Sequence, residues 1–143
     1  MPAEPERFAA LFKNPTIAAM HALSSQDFER FVAYVLRRAG YDVKEVGPHI
    51  LLGLDLELRL PGKRQIFGGV ECKKYAPNRL VPAGVMNDVR GARSVGRRGA
   101  KPFVFTTSDF TDAAHQVAEP GRTGGKRVYL LNGNRLLRYI PIQ

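Results

Sequence analysis

The stretch Gly53–Tyr75, GLDLELRLPGKRQIFGGVECKKY, decides how the chain folds. Leu54, Leu56, Leu58 and Leu60 alternate with Asp55, Glu57 and Arg59, the period of a strand with one apolar face. Pro61-Gly62 is a turn signal. Gln65 to Tyr75 then reads as the returning strand, in which Gly68-Gly69 marks a bulge or a close backbone approach. Residues two apart on a strand share a face, so Glu71 and Lys73 project together. Gly62 lies seven residues after Asp55 and nine before Glu71. The two acids are therefore expected nearly opposite each other, with the glycine bulge absorbing the offset.

Upstream of this hairpin, Ser24 and Ser25 are good N-cap residues, and Asp27 and Glu29 occupy first turns where acids complement the helix dipole. Phe28, Phe31, Val32, Val35 and Leu36 follow at helical spacing, and Ala39-Gly40 closes the helix. Tyr41 to Val46 alternates as a strand. Residues 5–22 read as one or two short helices broken at Asn14-Pro15, because proline disfavours helix in the residue before it. The expected organisation is a leader over residues 1–23, too short to be a separate DNA-reading module, and one domain over residues 24–143. Downstream, residues 81–98 look helical but are interrupted by Gly84, Gly91 and Gly96. Lys101 to Thr107 is a short buried strand. Ser108 is expected to cap a helix running to about Glu119, stopped by Pro120-Gly121. Lys126 to Leu131 is a last strand, and the Asn132-Gly133 turn leads into a short terminal element. Helix, three strands, helix, strand, helix, strand is the order of an α/β fold with a central mixed sheet flanked by helices, antiparallel strands first and βα crossovers after.

The composition bounds what such a fold does. At 143 residues the chain fits one compact domain. Lys and Arg total 22 against 13 Asp and Glu, a net charge of +9. A domain this basic usually meets something acidic, and nucleic acid is the commonest such partner. A charge balance tuned for solubility is the plain alternative, and the composition leans towards nucleic acid. No helix combines a basic face with a strongly apolar one, and no apolar run approaches the roughly 20 residues of a membrane span, so no membrane partner is expected. The start MPAEPERFAALF carries acids and prolines and does not read as a signal peptide. The single cysteine, Cys72, forms no internal disulfide and fits a reducing compartment, so a cytoplasmic location is expected.

Two carboxylates forced together repel and raise one another's pKa unless a cation sits between them. A divalent metal with oxygen ligands, Mg²⁺ first, resolves that conflict at Asp55 and Glu71. Such an ion lowers the pKa of bound water and clamps a phosphodiester during in-line attack. Lys73 beside it is placed to orient the water or to stabilise charge on the phosphorane. A strand-to-strand salt bridge on a solvated sheet face accounts for the same spacing.

Four stretches decide between those readings. They are Asp27-Phe28-Glu29-Arg30-Phe31-Val32 with Arg38-Ala39-Gly40-Tyr41-Asp42-Val43; Gly53-Leu54-Asp55-Leu56; Glu71-Cys72-Lys73-Lys74-Tyr75; and Phe105-Thr106-Thr107-Ser108-Asp109-Phe110-Thr111-Asp112-Ala113-Ala114. In that order the sequence resembles the catalytic domain of the Mrr family of restriction endonucleases, within the PD-(D/E)XK nuclease superfamily, from about Ser24 to Leu137. The resemblance implies a restriction-endonuclease-like three-layer fold and Mg²⁺-dependent endonuclease activity on DNA, with Mn²⁺ substituting. It implies Asp55 and Glu71 as metal ligands, the Cys72 backbone carbonyl completing the shell, and Lys73 as the catalytic lysine. Glu29 sits where related enzymes sometimes place an additional acid, either an outer-shell ligand or a helix-start charge. One departure stands out: family members commonly carry another acid four residues before the aspartate, where this chain has Leu51.

The basic residues Arg90, Arg93, Arg97, Arg98 and Lys101 read as phosphate contacts or as a solvated helix face. Lys63-Arg64, Lys74 and Arg79 pose the same choice nearer the expected metal, while Arg122, Lys126 and Arg127 read as loop charges. His21, His49 and His115 have no metal-ligand spacing with one another or with Cys72, which argues against zinc. Cys72 is expected to face the core and be inert. Thr106-Thr107-Ser108 is a hydroxyl-rich strand end suited to phosphate contact, or to helix capping through Ser108. No glycine-rich phosphate loop occurs. Two rivals share the motifs: a structure-selective nuclease resembling archaeal Holliday junction resolvases, and a DNA-binding module that kept the fold without activity. Cutting both strands of a duplex calls for two sites, hence an expected homodimer; sequence or modification specificity comes from that dimerisation or from a separate specificity subunit, or is absent.

Overall fold

A computed structural model of the chain describes residues 8–46, 54–91, 100–120 and 126–139. Two short helices, α1 (Ala9–Lys13) and α2 (Ile17–His21), flank the break at Asn14-Pro15. α3 (Ser25–Arg38) follows, with the Ser24 hydroxyl accepting from the Asp27 amide at 3.0 Å and Arg37 and Arg38 in the last turn. Gly40 takes a φ of 106°, the left-handed conformation that ends a helix cheaply only at glycine. The strands are β1 (Asp42–Glu45), β2 (Leu56–Arg59), β3 (Ile66–Lys73), β4 (Lys101–Thr106) and β5 (Tyr129–Leu131). Helices α4 (Ala83–Arg90), α5 (Asp112–Ala118) and α6 (Gly133–Leu137) lie after β3, β4 and β5.

The sheet runs β1-β2-β3-β4-β5, antiparallel across its first two pairings and parallel across the last two. This is the mixed sheet that the element order predicts. Successive strand residues face opposite sides, so the sheet carries a core on each. On one side Phe8, Leu11, Phe12 and Met20 join Phe28, Phe31, Val32 and Leu36 of α3 over Leu56, Leu58, Val70 and Phe105. On the other, Val85, Met86 and Val89 of α4 and Ala114 and Ala118 of α5 cover Leu54 and Val104. The result is three layers, helix over sheet over helix. The helices at residues 9–21 are built into the first core: the Phe8 and Phe31 rings meet edge to face at 5.6 Å.

Four sequence expectations are corrected. Leu54 and Leu56 belong to different cores, because the chain bends at Asp55 before β2 begins. Leu60 is 43% exposed, since the ladder ends at Arg59 and the turn carries the next residue into solvent. Ser108 does not cap α5; Thr111 does, its hydroxyl accepting from the Ala114 amide at 3.0 Å. Asn132 is the N-cap of α6 rather than a turn residue, accepting from the Arg135 amide at 2.9 Å. Of the helix expected over 81–98, Ala83–Arg90 forms: Gly84 lies inside it without interrupting it, Gly91 closes it, and residues 92–99 lie outside the described residues.

The register of the central hairpin sets the site. Leu56 pairs with Val70, Glu57 with Gly69 and Leu58 with Gly68, and then Arg59 pairs with Ile66, skipping Phe67. That bulge absorbs one residue of the hairpin's unequal arms. Gly68 is also a close approach, since a Cβ there would lie 2.7 Å from both the Lys101 carbonyl oxygen and the Phe103 ring.

Candidate active site at the β2–β3 junction

Continuing the register one step past Leu56↔Val70 sets Asp55 against Glu71. The Cys72 amide donates to Asp55 Oδ2 at 2.7 Å, so β3 fixes the aspartate through its backbone. Glu71 and, from α3, Glu29 each lie within hydrogen-bonding reach of the Asp55 carboxylate. Lys73 projects beside them, its Nζ 3.8 Å from Glu71 Oε1, a loose ion pair. Glu57 is turned away to Arg59 at 3.4 Å and takes no part.

The electrostatics record a surplus of acid. Burial, then hydrogen bonding to Asp55 and the charge beside it, push the Glu71 carboxyl up to about 8, and Lys73 offsets only part of this. Burial and then Asp55 raise Glu29 to about 7, with Glu45 adding to the shift. Among the described residues no group of three or more His, Cys, Asp or Glu side chains is placed to hold a metal ion. The donor set is instead two opposed carboxylates with the Cys72 backbone between Glu71 and Lys73. Hard oxygen donors of that number suit Mg²⁺, which keeps several of its waters, and the uncompensated acid fits a cation better than none. Cys72 is half-buried and packs on the first core; burial, then the carboxylates around it, push its thiol well above the usual range, so it is no nucleophile.

The basic candidates divide. Lys74 is half-buried on the segment leaving β3, and the Arg79 guanidinium stacks 4.3 Å over the Tyr75 ring. Arg90 donates to the Lys126 carbonyl at 2.7 Å and the Glu119 carbonyl at 3.0 Å, which ties α4 to the segment before β5. Arg93, Arg97 and Arg98, with His49 and Leu51, lie outside the described residues. Sequence reasoning left His21 without a role. It sits against the Thr107 and Tyr75 backbone, where burial and then Lys74 lower its pKa, and its Nε2 is buried with no hydrogen-bond partner. Only its place at the end of a short apolar helix hinted at this.

The fold is that of restriction endonucleases. AspBHI, a DNA modification-dependent restriction endonuclease, superposes with a TM-score of 0.58 at 19% identity, covering 97% of this chain and 36% of its own. The MspJI restriction endonuclease, solved in complex with a 27-mer oligonucleotide, gives 0.50 at 20% identity over 97% of this chain and 32% of its own. AF1548, a protein of unknown function, gives 0.57 at 18% identity over 76% of this chain and 62% of its own. The chain thus spans about a third of the two nucleases, and at these identities the likeness is one of fold. No curated protein matches the sequence. The family model Mrr_cat, described as restriction endonuclease, matches residues 20–140. The chain belongs to that restriction endonuclease family. Among the described residues no helix is long and apolar enough to cross a membrane.

Proposed function

We propose that this chain is a metal-dependent DNA endonuclease domain that hydrolyses phosphodiester bonds at Asp55, Glu71 and Lys73. The observation that carries the reading is the opposition of Asp55 and Glu71 across β2 and β3, with Lys73 two residues further along β3. Asp55 and Glu71 are the ligands for Mg²⁺ or Mn²⁺, with the Cys72 carbonyl completing the protein's share of the shell. The ion, when bound, lowers the pKa of a water and draws charge from the phosphate. Lys73 donates hydrogen bonds to the attacking water or to a phosphate oxygen, holding it in line and offsetting the charge that builds at phosphorus. The Cys72 amide keeps Asp55 aimed across the strands. Glu29 acts behind Asp55 as the outer carboxyl that orients it.

The net charge of +9 supports DNA as partner. Lys74, Arg79 and, outside the described residues, Arg93, Arg97 and Arg98 supply phosphate contacts. Arg90 joins them only through donors its two carbonyl bonds leave over. Two copies of the domain, one per strand, cut a duplex, and recognition of sequence or modification comes from a partner or further domain. Cleavage of supercoiled plasmid by wild type and Lys73→Ala in Mg²⁺, Mn²⁺ and EDTA tests the reading. Nicking that needs metal and disappears in Lys73→Ala is expected. DNA retention without cutting in either metal, on plain and branched substrates alike, would leave a binding module.

A further inference from the structure

Among the described residues two polar side chains are fully buried, Thr106 and Thr107 at the end of β4. A buried hydroxyl persists where it is bonded, and these two bond the end of β3 and the segment that leaves it. Thr106 Oγ1 donates to the Lys73 carbonyl at 2.7 Å. Thr107 Oγ1 donates to the Tyr75 carbonyl at 2.8 Å and accepts from the Tyr75 amide at 3.0 Å. That is the pair of bonds a strand backbone would make, supplied by one side chain.

The place of these bonds matters. The main-chain ladder of β3 and β4 ends at Lys73↔Thr106, where β4 bends away through Thr107 and Ser108. A strand leaving its ladder frays from the end, and here that end carries Lys73 and Lys74. The Thr106 hydroxyl bonds the last residue of that ladder, and the Thr107 hydroxyl reaches two residues past it, to Tyr75. The Thr107 amide adds a bond to the Lys73 carbonyl at 3.3 Å, and Thr106 Oγ1 accepts from the Ser108 amide at 3.2 Å. Thr107 is also packed against Gly133, where an added Cβ would meet the Thr107 carbonyl oxygen. The start of α6 thus packs directly on the Thr107 backbone, and the hydroxyl is held by its two bonds to Tyr75.

We propose that Thr106 and Thr107 are positioning residues, whose buried hydroxyls hold the backbone at the end of β3, on either side of Lys74, and so set the Lys73 amine against Asp55 and Glu71. The inference rests on Lys73 acting in the proposed nuclease reaction. Valine at either position keeps the shape and removes the bonds; serine keeps the bonds. A misplacement of about 1 Å at a reacting group costs up to about a hundredfold in rate. Plasmid cleavage is therefore measured in Mg²⁺ across DNA concentrations for wild type, Thr106→Val and Thr106→Ser, with duplex affinity read separately in EDTA. Thr106→Val is expected to lower kcat about tenfold or more with KM and affinity changed less than about twofold, and Thr106→Ser to stay within about threefold of wild type.

Thr106→Val cutting at the wild-type rate, or a serine variant no better than valine, overturns the proposal while leaving the nuclease reading intact. A wild type that cuts under neither metal overturns the nuclease reading and this inference with it. Should Thr106→Val not fold, hydrogen exchange at the Tyr75 amide of the wild type decides. Slow exchange supports the bond from Thr107, and exchange at the rate of an open loop overturns it.

Discussion

Replacing Glu71 with glutamine should change how the metal-free protein's stability depends on pH. The Glu71 carboxyl titrates at about 8 in the fold against an ordinary value of 4.5, so between those values the folded state holds a proton that the unfolded state has lost. The sign follows: this contribution is complete below pH 4.5, and it is lost as pH rises through the folded value. The slope for one such group is at most about 1.4 kcal/mol per pH unit, or about 2.5 kcal/mol between about pH 5 and pH 7. The side chain is 22% exposed, and solvent screening reduces this to about 1–2 kcal/mol. For a domain of this size that is about 3–8 °C in Tm. Thermal melts of wild type and Glu71→Gln in EDTA should nearly coincide at about pH 5 and separate by that amount at about pH 7, the variant melting higher. Excess Mg²⁺ should reverse the order, because only the wild type has the ligand pair to bind it. Parallel curves in EDTA would refute the crowding of Asp55 and Glu71 on which the site is built.

Glu29→Gln should weaken Mg²⁺-dependent cleavage by about 10- to 100-fold, the usual effect of losing a carboxyl behind a ligand, measured as the metal concentration giving half-maximal rate. An unchanged value would make Glu29 a helix-start charge and nothing more. Lys74→Ala and Arg79→Ala should each lower the slope of log affinity against log salt by about one without altering sequence preference, read by fluorescence anisotropy on duplex DNA. Phe31→Ala, which empties the centre of the ring cluster with Phe8 and Phe12, should cost about 3–5 kcal/mol in urea unfolding. A cost under about 1 kcal/mol would show that the helices over residues 9–21 are not part of the core.

Much of this architecture is legible in the residues because local chemistry and tertiary packing agree. The α3 helix has a capping serine, an apolar face at helical spacing and a terminal glycine, and each does in the fold what its type suggests. The Asp55–Glu71 opposition follows from counting around Pro61-Gly62 and allowing for a bulge, and the bulge falls at Phe67, beside the glycine pair. What alternation does not disclose is the bend at Asp55. Leu54 and Leu56 look like neighbours on one face, yet they enter different cores, and the bend brings the aspartate within reach of α3 as well as β3. Glu29 is found by resemblance alone, because its approach to Asp55 depends on how α3 crosses the sheet. Thr106 and Thr107 are visible as hydroxyls ending an apolar strand, but a string of residues does not say which way they turn. Outward they would meet phosphate; in the fold they turn inward to β3. Asn132-Gly133 shows the same ambiguity between a turn and a helix start, settled by the room Gly133 leaves for the Thr107 carbonyl.

The most direct test of the account is anomalous scattering from crystals soaked in Mn²⁺, in wild type and in Asp55→Asn. An Mn²⁺ peak held by the Asp55 and Glu71 carboxylates with the Cys72 carbonyl, absent from the variant, is the predicted result. A peak elsewhere, or no peak between those two carboxylates at metal concentrations that support cleavage, would contradict it.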